Sequence, residues 1–293
     1  MFAKIYPWLL AFRFKTLTAA LVPVMVATAL CVSLDVFHET WVSVYALLGA
    51  FAIQIATNLL NDAIDFKKGA DTEERLGPQR VTQSGLLSEK QVWAMGIFFL
   101  VVATLLGVPL VLRGGAPIIV LGLVSLFLAY GYTGGPFPLA YLGLGDLFVI
   151  LFFGLFAVAG TSYLHSLTLH PAMIVAGLQT GFLSTVLIAI NNLRDSETDR
   201  EVNKKTLAVR FGDGFARFEI ALLVALTYLL NLYYLVVYQK LYVLISFAVL
   251  PFGVFLVGVV YATKDKRQLN KALGLAALHQ VVFALLFSIG LVL

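Results

Sequence analysis

Two short stretches of this 293-residue chain concentrate carboxylates and carboxamides. The first reads Asn58-Leu59-Leu60-Asn61-Asp62-Ala63-Ile64-Asp65, followed by Gly69-Ala70-Asp71 and Arg75; the second reads Asn191-Asn192-Leu193-Arg194-Asp195-Ser196-Glu197-Thr198-Asp199. On a helix, Asn58, Asp62 and Asp65 are spaced i, i+4, i+7 and project from one face. Asn191, Asp195 and Asp199, spaced i, i+4, i+8, do the same. Oxygen donors in this arrangement suit Mg²⁺, which is commonly shared between one or two carboxylates and substrate phosphates. Arg75, Arg80, Arg194, Lys204 and Arg210 lie close enough in sequence to hold phosphate oxygens that the metal leaves over. The expected chemistry is therefore chemistry on a diphosphate.

The elements that must position these groups follow from where charge is absent. Some 60% of the residues are apolar and 12% charged, with a net charge of +4, which excludes disorder, collagen, a disulfide scaffold and most soluble enzymes. One cysteine, Cys31, has no partner for a disulfide, and the four histidines share no metal-ligand spacing. Stretches without Asp, Glu, Lys or Arg cover 16–34, 40–61, 91–112, 114–145, 147–193, 220–239, 241–263 and 272–293. A spanning helix needs about 20 apolar residues. The breaker string Gly131-Tyr132-Thr133-Gly134-Gly135-Pro136 ends one helix near Tyr132, and His165-Ser166 with His170-Pro171 splits 147–193 into two. Nine spans result, and the chain reads as an all-α polytopic membrane protein. Arg13-Phe14-Lys15 enters a full-length span without a small-residue cleavage site, so no cleaved leader is expected there.

With the N-terminus in the cytoplasm, eighteen of the twenty Lys and Arg residues fall on the cytoplasmic side and only Arg113 and Lys240 outside. That distribution satisfies the positive-inside rule, and an odd number of spans leaves the C-terminus outside. Both acidic strings then end helices at the cytoplasmic boundary, four spans apart, which hints at a duplicated bundle. Acids at a helix C-terminus oppose the macrodipole. A solvated acidic turn would explain one such string, whereas two with matched faces fit a diphosphate whose tail is lipid.

These residues resemble the UbiA-type intramembrane prenyltransferases, and within them the 1,4-dihydroxy-2-naphthoate polyprenyltransferases of menaquinone synthesis. The resemblance runs almost end to end. It takes in Arg13-Phe14-Lys15-Thr16-Leu17 with Pro23-Val24, the first acidic string, and Gly77-Pro78-Gln79-Arg80 with Gln83 and Gly85. It continues through Tyr132-Thr133-Gly134-Gly135-Pro136, Tyr141-Leu142-Gly143-Leu144-Gly145-Asp146, and the second acidic string followed by Lys204-Lys205-Thr206-Leu207. Phe14 stands where the family usually has proline, and Asn203 where glycine commonly precedes the basic pair. The resemblance implies one domain over 1–293, a nine-helix bundle around a central cavity open sideways to lipid, with cytoplasmic loops 61–91 and 194–217 as its cap. It places the chain in a bacterial cytoplasmic (inner) membrane. The implied reaction joins polyprenyl diphosphate to 1,4-dihydroxy-2-naphthoate, releasing diphosphate and CO₂ to give demethylmenaquinone.

On that basis Mg²⁺ is expected on Asn58, Asp62, Asp195 and Asp199, with Asp65 and Asp71 as second choices. Arg75, Arg80 and Lys204, then Arg194 and Arg210, are expected on the diphosphate. Asp62, Asp195 and Asp199 would thus serve catalysis with Tyr132, whose ring is either a cation–π partner for the allylic cation or an interfacial-belt tyrosine. Asp146 opens a helix, where a carboxylate complements the positive end; the resemblance adds Asp146 and Tyr141 as acceptor-pocket residues. Glu219, Asn231 and His279-Gln280 are assigned no role. The rival acceptor is a phenol such as 4-hydroxybenzoate. A secondary transporter is the rival class, and it would place its acids near the bilayer midplane. No nucleic-acid partner is expected.

Overall fold

The computed structural model describes residues 2–69 and 76–293, so Asp71 and Arg75 lie outside the described residues. Among the described residues every regular element is helical. In chain order these are α1 (Phe2–Phe12), α2 (Phe14–Ser33), α3 (Thr40–Lys67), α4 (Glu89–Gly114) and α5 (Ala116–Gly131). Then α6 (Gly145–Ile150) passes through a π-helical turn (Leu151–Phe156) into α7 (Ala157–Ser166), followed by α8 (Pro171–Arg194), α9 (Ser196–Glu201) and α10 (Leu207–Tyr238). A 3₁₀ stretch (Leu241–Val249) leads into α11 (Leu250–Ala262), and α12 (Leu269–Val292) closes the chain.

Among the described residues eight helical segments are long and apolar enough to cross a membrane, the fourth of them being Gly145–Ser166. The ninth apolar run folds as the shorter α5, whose 16 residues cover about 24 Å against a hydrocarbon core of about 30 Å. Its end is set by the turn after Gly131, where Gly135 takes φ 75°. Sequence reasoning missed α1, which Arg13 separates from α2 by adopting φ 52°. Elsewhere the ends are local chemistry. Ser88 and Gln91 close a capping box at the start of α4, Pro171 opens α8, and the Thr206 hydroxyl accepts from Val209 N at 3.4 Å to start α10.

Large apolar side chains point outward, with Leu112 82%, Val236 75% and Phe127 68% exposed, as expected where the surrounding solvent is itself hydrocarbon. Helix association then depends on close packing and interhelical hydrogen bonds. The main core cluster includes Leu30, Leu183, Ile190, Ile220, Phe283 and Phe287. Gln179 donates to Asn231 at 2.7 Å, Asn231 to Ser246 at 2.7 Å, and Gln280 to Ser184 at 2.8 Å. Asn231, His279 and Gln280 thereby acquire a packing role: the His279 ring nitrogen Nε2 meets Tyr228 Oη at 2.8 Å. The π-helical turn rests directly on α8. A Cβ at Gly177 would stand 2.8 Å from the Leu155 Cα, and one at Gly181 2.8 Å from the Ile150 carbonyl. That approach brings the start of α6 against the end of α8, where the second acidic string begins.

Candidate active site

A cavity of about 1040 Å³ is lined by α2, α3, α4, α5, the α6–α7 span and α8. One end is polar: Asn61, Asp65, Arg80, Tyr132, Tyr141, Asp146, Asn191, Asp195 and Lys204 all line it. The remainder is apolar, built from residues such as Ile53, Leu126, Phe148 and Phe152. Its wall continues onto Val108, Leu112 and Leu123, which the bundle leaves 49%, 82% and 62% exposed. The lumen therefore reaches the bundle's periphery.

The first acidic string stays helical as far as Lys67. Asn58, Asn61 and Asp65 line the cavity. Asp62 does not, and the expectation that it holds a metal there is corrected. Its buried carboxylate accepts the backbone N–H groups of Val81 and Thr82, each at 3.3 Å, with the Arg13 guanidinium 3.8 Å away. Those bonds fix the turn that carries Arg80. On a helical wheel Asn61 and Asp62 flank the line through Asn58 and Asp65 on opposite sides. Spacing alone does not choose between them; the 80–82 turn does. Asn58 spends its amide on the Phe12 carbonyl (3.0 Å) and Thr16 Oγ1 (2.9 Å), which clamps the break between α1 and α2. Asp65 meets Arg80 at 3.4 Å and accepts from the Tyr141 hydroxyl at 3.3 Å.

The second string is broken where the first is continuous. Asp195 sits at φ −93°, ψ 7°, ending α8 and starting α9, so Asn191, Asp195 and Asp199 do not share an unbroken helix face. Asp195 reaches the cavity wall and is gripped by both arms of Arg194, at 2.8 and 2.6 Å. Arg194, 1% exposed, also donates to Asn270 at 2.8 Å. Its fork therefore positions a carboxylate, and the residue also lines the cavity beside Asp195. Asp199 is buried and pairs through Oδ1 with Lys204 at 3.1 Å, beside the polar end, where its charge acts on both Tyr132 and Lys204. Lys204 itself lines the cavity. Burial pulls its pKa down, but Asp199, Asp65 and Asp195 outweigh that and hold it above the ordinary lysine value. Arg210 is likewise corrected. It is exposed, and donates to the carbonyls of Leu142 (2.7 Å) and Lys205 (3.0 Å), strapping two loops together outside the cavity.

Tyr132 lines the cavity with its phenol pushed above the ordinary range by burial, then by Asp146, Asp65 and Asp199. It stays protonated, and its ring supplies an electron-rich face. Tyr141 carries the Lys68 ammonium 4.4 Å above its ring, and Lys68 also donates to the Thr133 carbonyl at 2.6 Å. Asp146 is 4% exposed, with Asn192 donating to it at 3.4 Å. Asn61, which the metal assignment passed over, accepts from the Thr133 hydroxyl at 2.7 Å.

Among the described residues no three His, Cys, Asp or Glu side chains come together as a metal cluster. The donors at the polar end are nevertheless all oxygen: Asn61 and Asp65 from one string and Asp195 from the other. A Mg²⁺ ion shared with a diphosphate needs only one or two protein carboxylates, so this donor set fits such an ion.

A family model, that of the UbiA prenyltransferase family, matches residues 20–287. The 1,4-dihydroxy-2-naphthoate octaprenyltransferase of Escherichia coli (strain K12) is 39% identical over 216 residues, covering 72% of this chain and 70% of that one. Its namesake from Haemophilus influenzae is 32% identical over 98% of this chain and 96% of its own. Among solved structures, a UbiA homologue from Aeropyrum pernix K1 superposes with a TM-score of 0.71 at 13% identity, over 94% of this chain and 97% of its own. A UbiA homologue from Archaeoglobus fulgidus bound to GPP and Mg²⁺ reaches 0.67 at 17% identity, over 98% and 99%. With nearly the whole chain inside the family model and the same helical bundle in these structures, the chain belongs to the UbiA prenyltransferase family.

Proposed function

We propose that this chain transfers a polyprenyl group from polyprenyl diphosphate to 1,4-dihydroxy-2-naphthoate. The observation that carries the reading is the continuity of a polar end, bearing Asp65, Asp195, Arg80 and Lys204, with a long apolar lumen. An amphiphile with a diphosphate head and a hydrocarbon tail fits that division. The acceptor follows the names of the relatives at 39% and 32% identity.

Asn61, Asp65 and Asp195 are the residues that would hold Mg²⁺, which when bound neutralises charge building on the departing diphosphate. Arg80 and Lys204 bind the same anion directly, and the fixed positive charge of Lys204 requires no reorganisation as the C–O bond breaks. Arg194 and Lys204 orient Asp195 and Asp199 respectively. Tyr132 faces the allylic carbon as positive charge develops there, worth about 2 kcal/mol if desolvated. The apolar walls exclude water, which would trap the cation as an alcohol. Tyr141 and Asp146 complete the acceptor side, and the 76–91 and 194–217 segments cover the polar end. The naphthoate carbon that bears the carboxylate forms the new C–C bond and loses CO₂, leaving the reduced, diol form of demethylmenaquinone.

Purified protein given octaprenyl diphosphate, Mg²⁺ and carboxyl-labelled naphthoate is expected to release labelled CO₂ in step with diphosphate, and to stop when divalent ions are chelated. Prenylated 4-hydroxybenzoate with its carboxylate retained, and no labelled CO₂, would keep the fold and discard the acceptor. We also place the polar end at the cytoplasmic face of a bacterial inner membrane, from the eighteen bases gathered there. A reporter fused after Leu293 should then be active outside the cytoplasm; activity inside overturns the orientation.

A further inference from the structure

Resting on the reading of this cavity as a prenyl diphosphate site, we infer that Gly49, Gly107 and Gly122 form a glycine ring at one depth of the lumen that sets which tail lengths the enzyme accepts. All three line the cavity. None has a positive φ, and a Cβ built on any of them meets nothing within 4 Å. Neither backbone conformation nor helix packing therefore accounts for glycine, which weakens a helix interior relative to alanine. Some other glycines are explained by packing: Gly96 lies against Leu60, and Gly177 and Gly181 lie against the α6 and π-helical backbone. Gly49 differs most, because it is buried and yet faces empty space. The void beside it is the lumen.

The three positions fall at the same level. α4 returns alongside α3 with Gly96 packed on Leu60, so Gly107, eleven residues beyond Gly96, stands level with Gly49, eleven before Leu60. Thr133 bonds Asn61 at the polar end, and Gly122 precedes Thr133 by eleven residues. At 1.5 Å per residue each glycine lies about 17 Å from the acidic end. A two-isoprene tail ends short of that level, whereas an eight-isoprene tail must pass it on the way to the exposed rim at Leu112 and Ile119.

The test compares non-transferable thiolodiphosphate analogues bearing geranyl and octaprenyl tails, bound to full-length protein and to the series Gly107→Ala, Gly107→Val and Gly107→Leu, with Gly122→Leu in parallel. Octaprenyl affinity is expected to fall in that order, reaching about tenfold for leucine, while geranyl affinity stays within about twofold. Gly258→Leu is the control, since Gly258 also has open space around it but stands off the cavity, and it should change neither. Equal loss of both tails across the graded series, or no loss of either, overturns the ring. Because binding is read without turnover, failure to prenylate naphthoate would overturn the proposed reaction while leaving the tail-length result to be judged separately.

Discussion

The two acidic strings look alike in sequence and are built differently. At the end of α3 the helix runs on through the string, and periodicity delivers Asn61 and Asp65 to the cavity while turning Asp62 onto the 80–82 amides. At the end of α8 the helix stops, and adjacent bases do the positioning: Arg194 grips Asp195, and Lys204 holds Asp199. The first string offers its carboxylate by helix geometry, the second by ion pairing. A matched pattern of residue types therefore does not imply matched roles. In each string one acid lines the cavity, while another is bonded to the protein's own groups, Asp62 to backbone amides and Asp199 to a lysine.

The sharpest way to break that contrast is to remove one acid of each kind. Asp65→Asn and Asp195→Asn are expected to lower kcat by about a thousandfold, the scale of losing a group that acts on charge developing in the transition state. Asp62→Asn, an isosteric change at an acid bonded to backbone, should leave the activity per folded molecule within a few-fold. Its cost of about 1–2 kcal/mol should instead appear in thermal unfolding. Full activity in Asp65→Asn together with loss in Asp62→Asn would restore the assignment that spacing alone suggested.

A second pair of variants separates the bases. Arg194→Ala leaves a carboxylate unpaired beside a buried site and should destabilise the protein by about 3–5 kcal/mol, with Arg194→Lys unable to replace the two-armed grip. Arg80→Ala, at a residue that faces the cavity beside Asp65, should act mainly on substrate: KM for the diphosphate donor rises about tenfold, with a smaller change in melting temperature. Reversal of that split would mean that Arg194 contacts substrate and Arg80 holds the fold.

Much of this was legible because a bilayer restricts the solutions. Charge-free runs gave the spans, and Gly131–Pro136 and His170-Pro171 gave their ends. The acidic strings and Arg80, Lys204, Tyr132, Tyr141 and Asp146 could be named from residue type, spacing and resemblance, and the five single residues line the cavity together with Asp65 and Asp195. Choices decided by tertiary contacts were not legible. Asn61 and Asp62 are equivalent on a helical wheel until the 80–82 turn selects one. The break at Asp195 lies inside a stretch with no proline or glycine to announce it. Arg210 reads as one more phosphate-binding base until its fork is seen on two loop carbonyls. Helix α1 escaped because it is apolar yet too short to span.

The gentlest test uses the lysine beside each string, because their pKa values are displaced in opposite directions. Lys68, near Asp65, is held below the ordinary lysine value of 10.5 by burial, with Asp65 opposing. Lys204, near Asp199, stands above 10.5 because three carboxylates outweigh its burial. Between the folded-state value of Lys68 and 10.5 the unfolded chain carries more protons at that position, so its contribution to stability grows as pH rises through that interval. For Lys204 the folded chain keeps its proton longer; its contribution is complete below 10.5 and is lost as pH climbs through the folded value above it. Melting temperatures recorded from pH 8 upward should show this directly. Lys68→Met should steepen the alkaline decline by removing the opposing gain, and Lys204→Met should flatten it by removing the loss, from a lower starting stability. The same slope in both variants would mean that the two strings hold their lysines alike, and that the contrast between geometry and ion pairing does not extend to their charge.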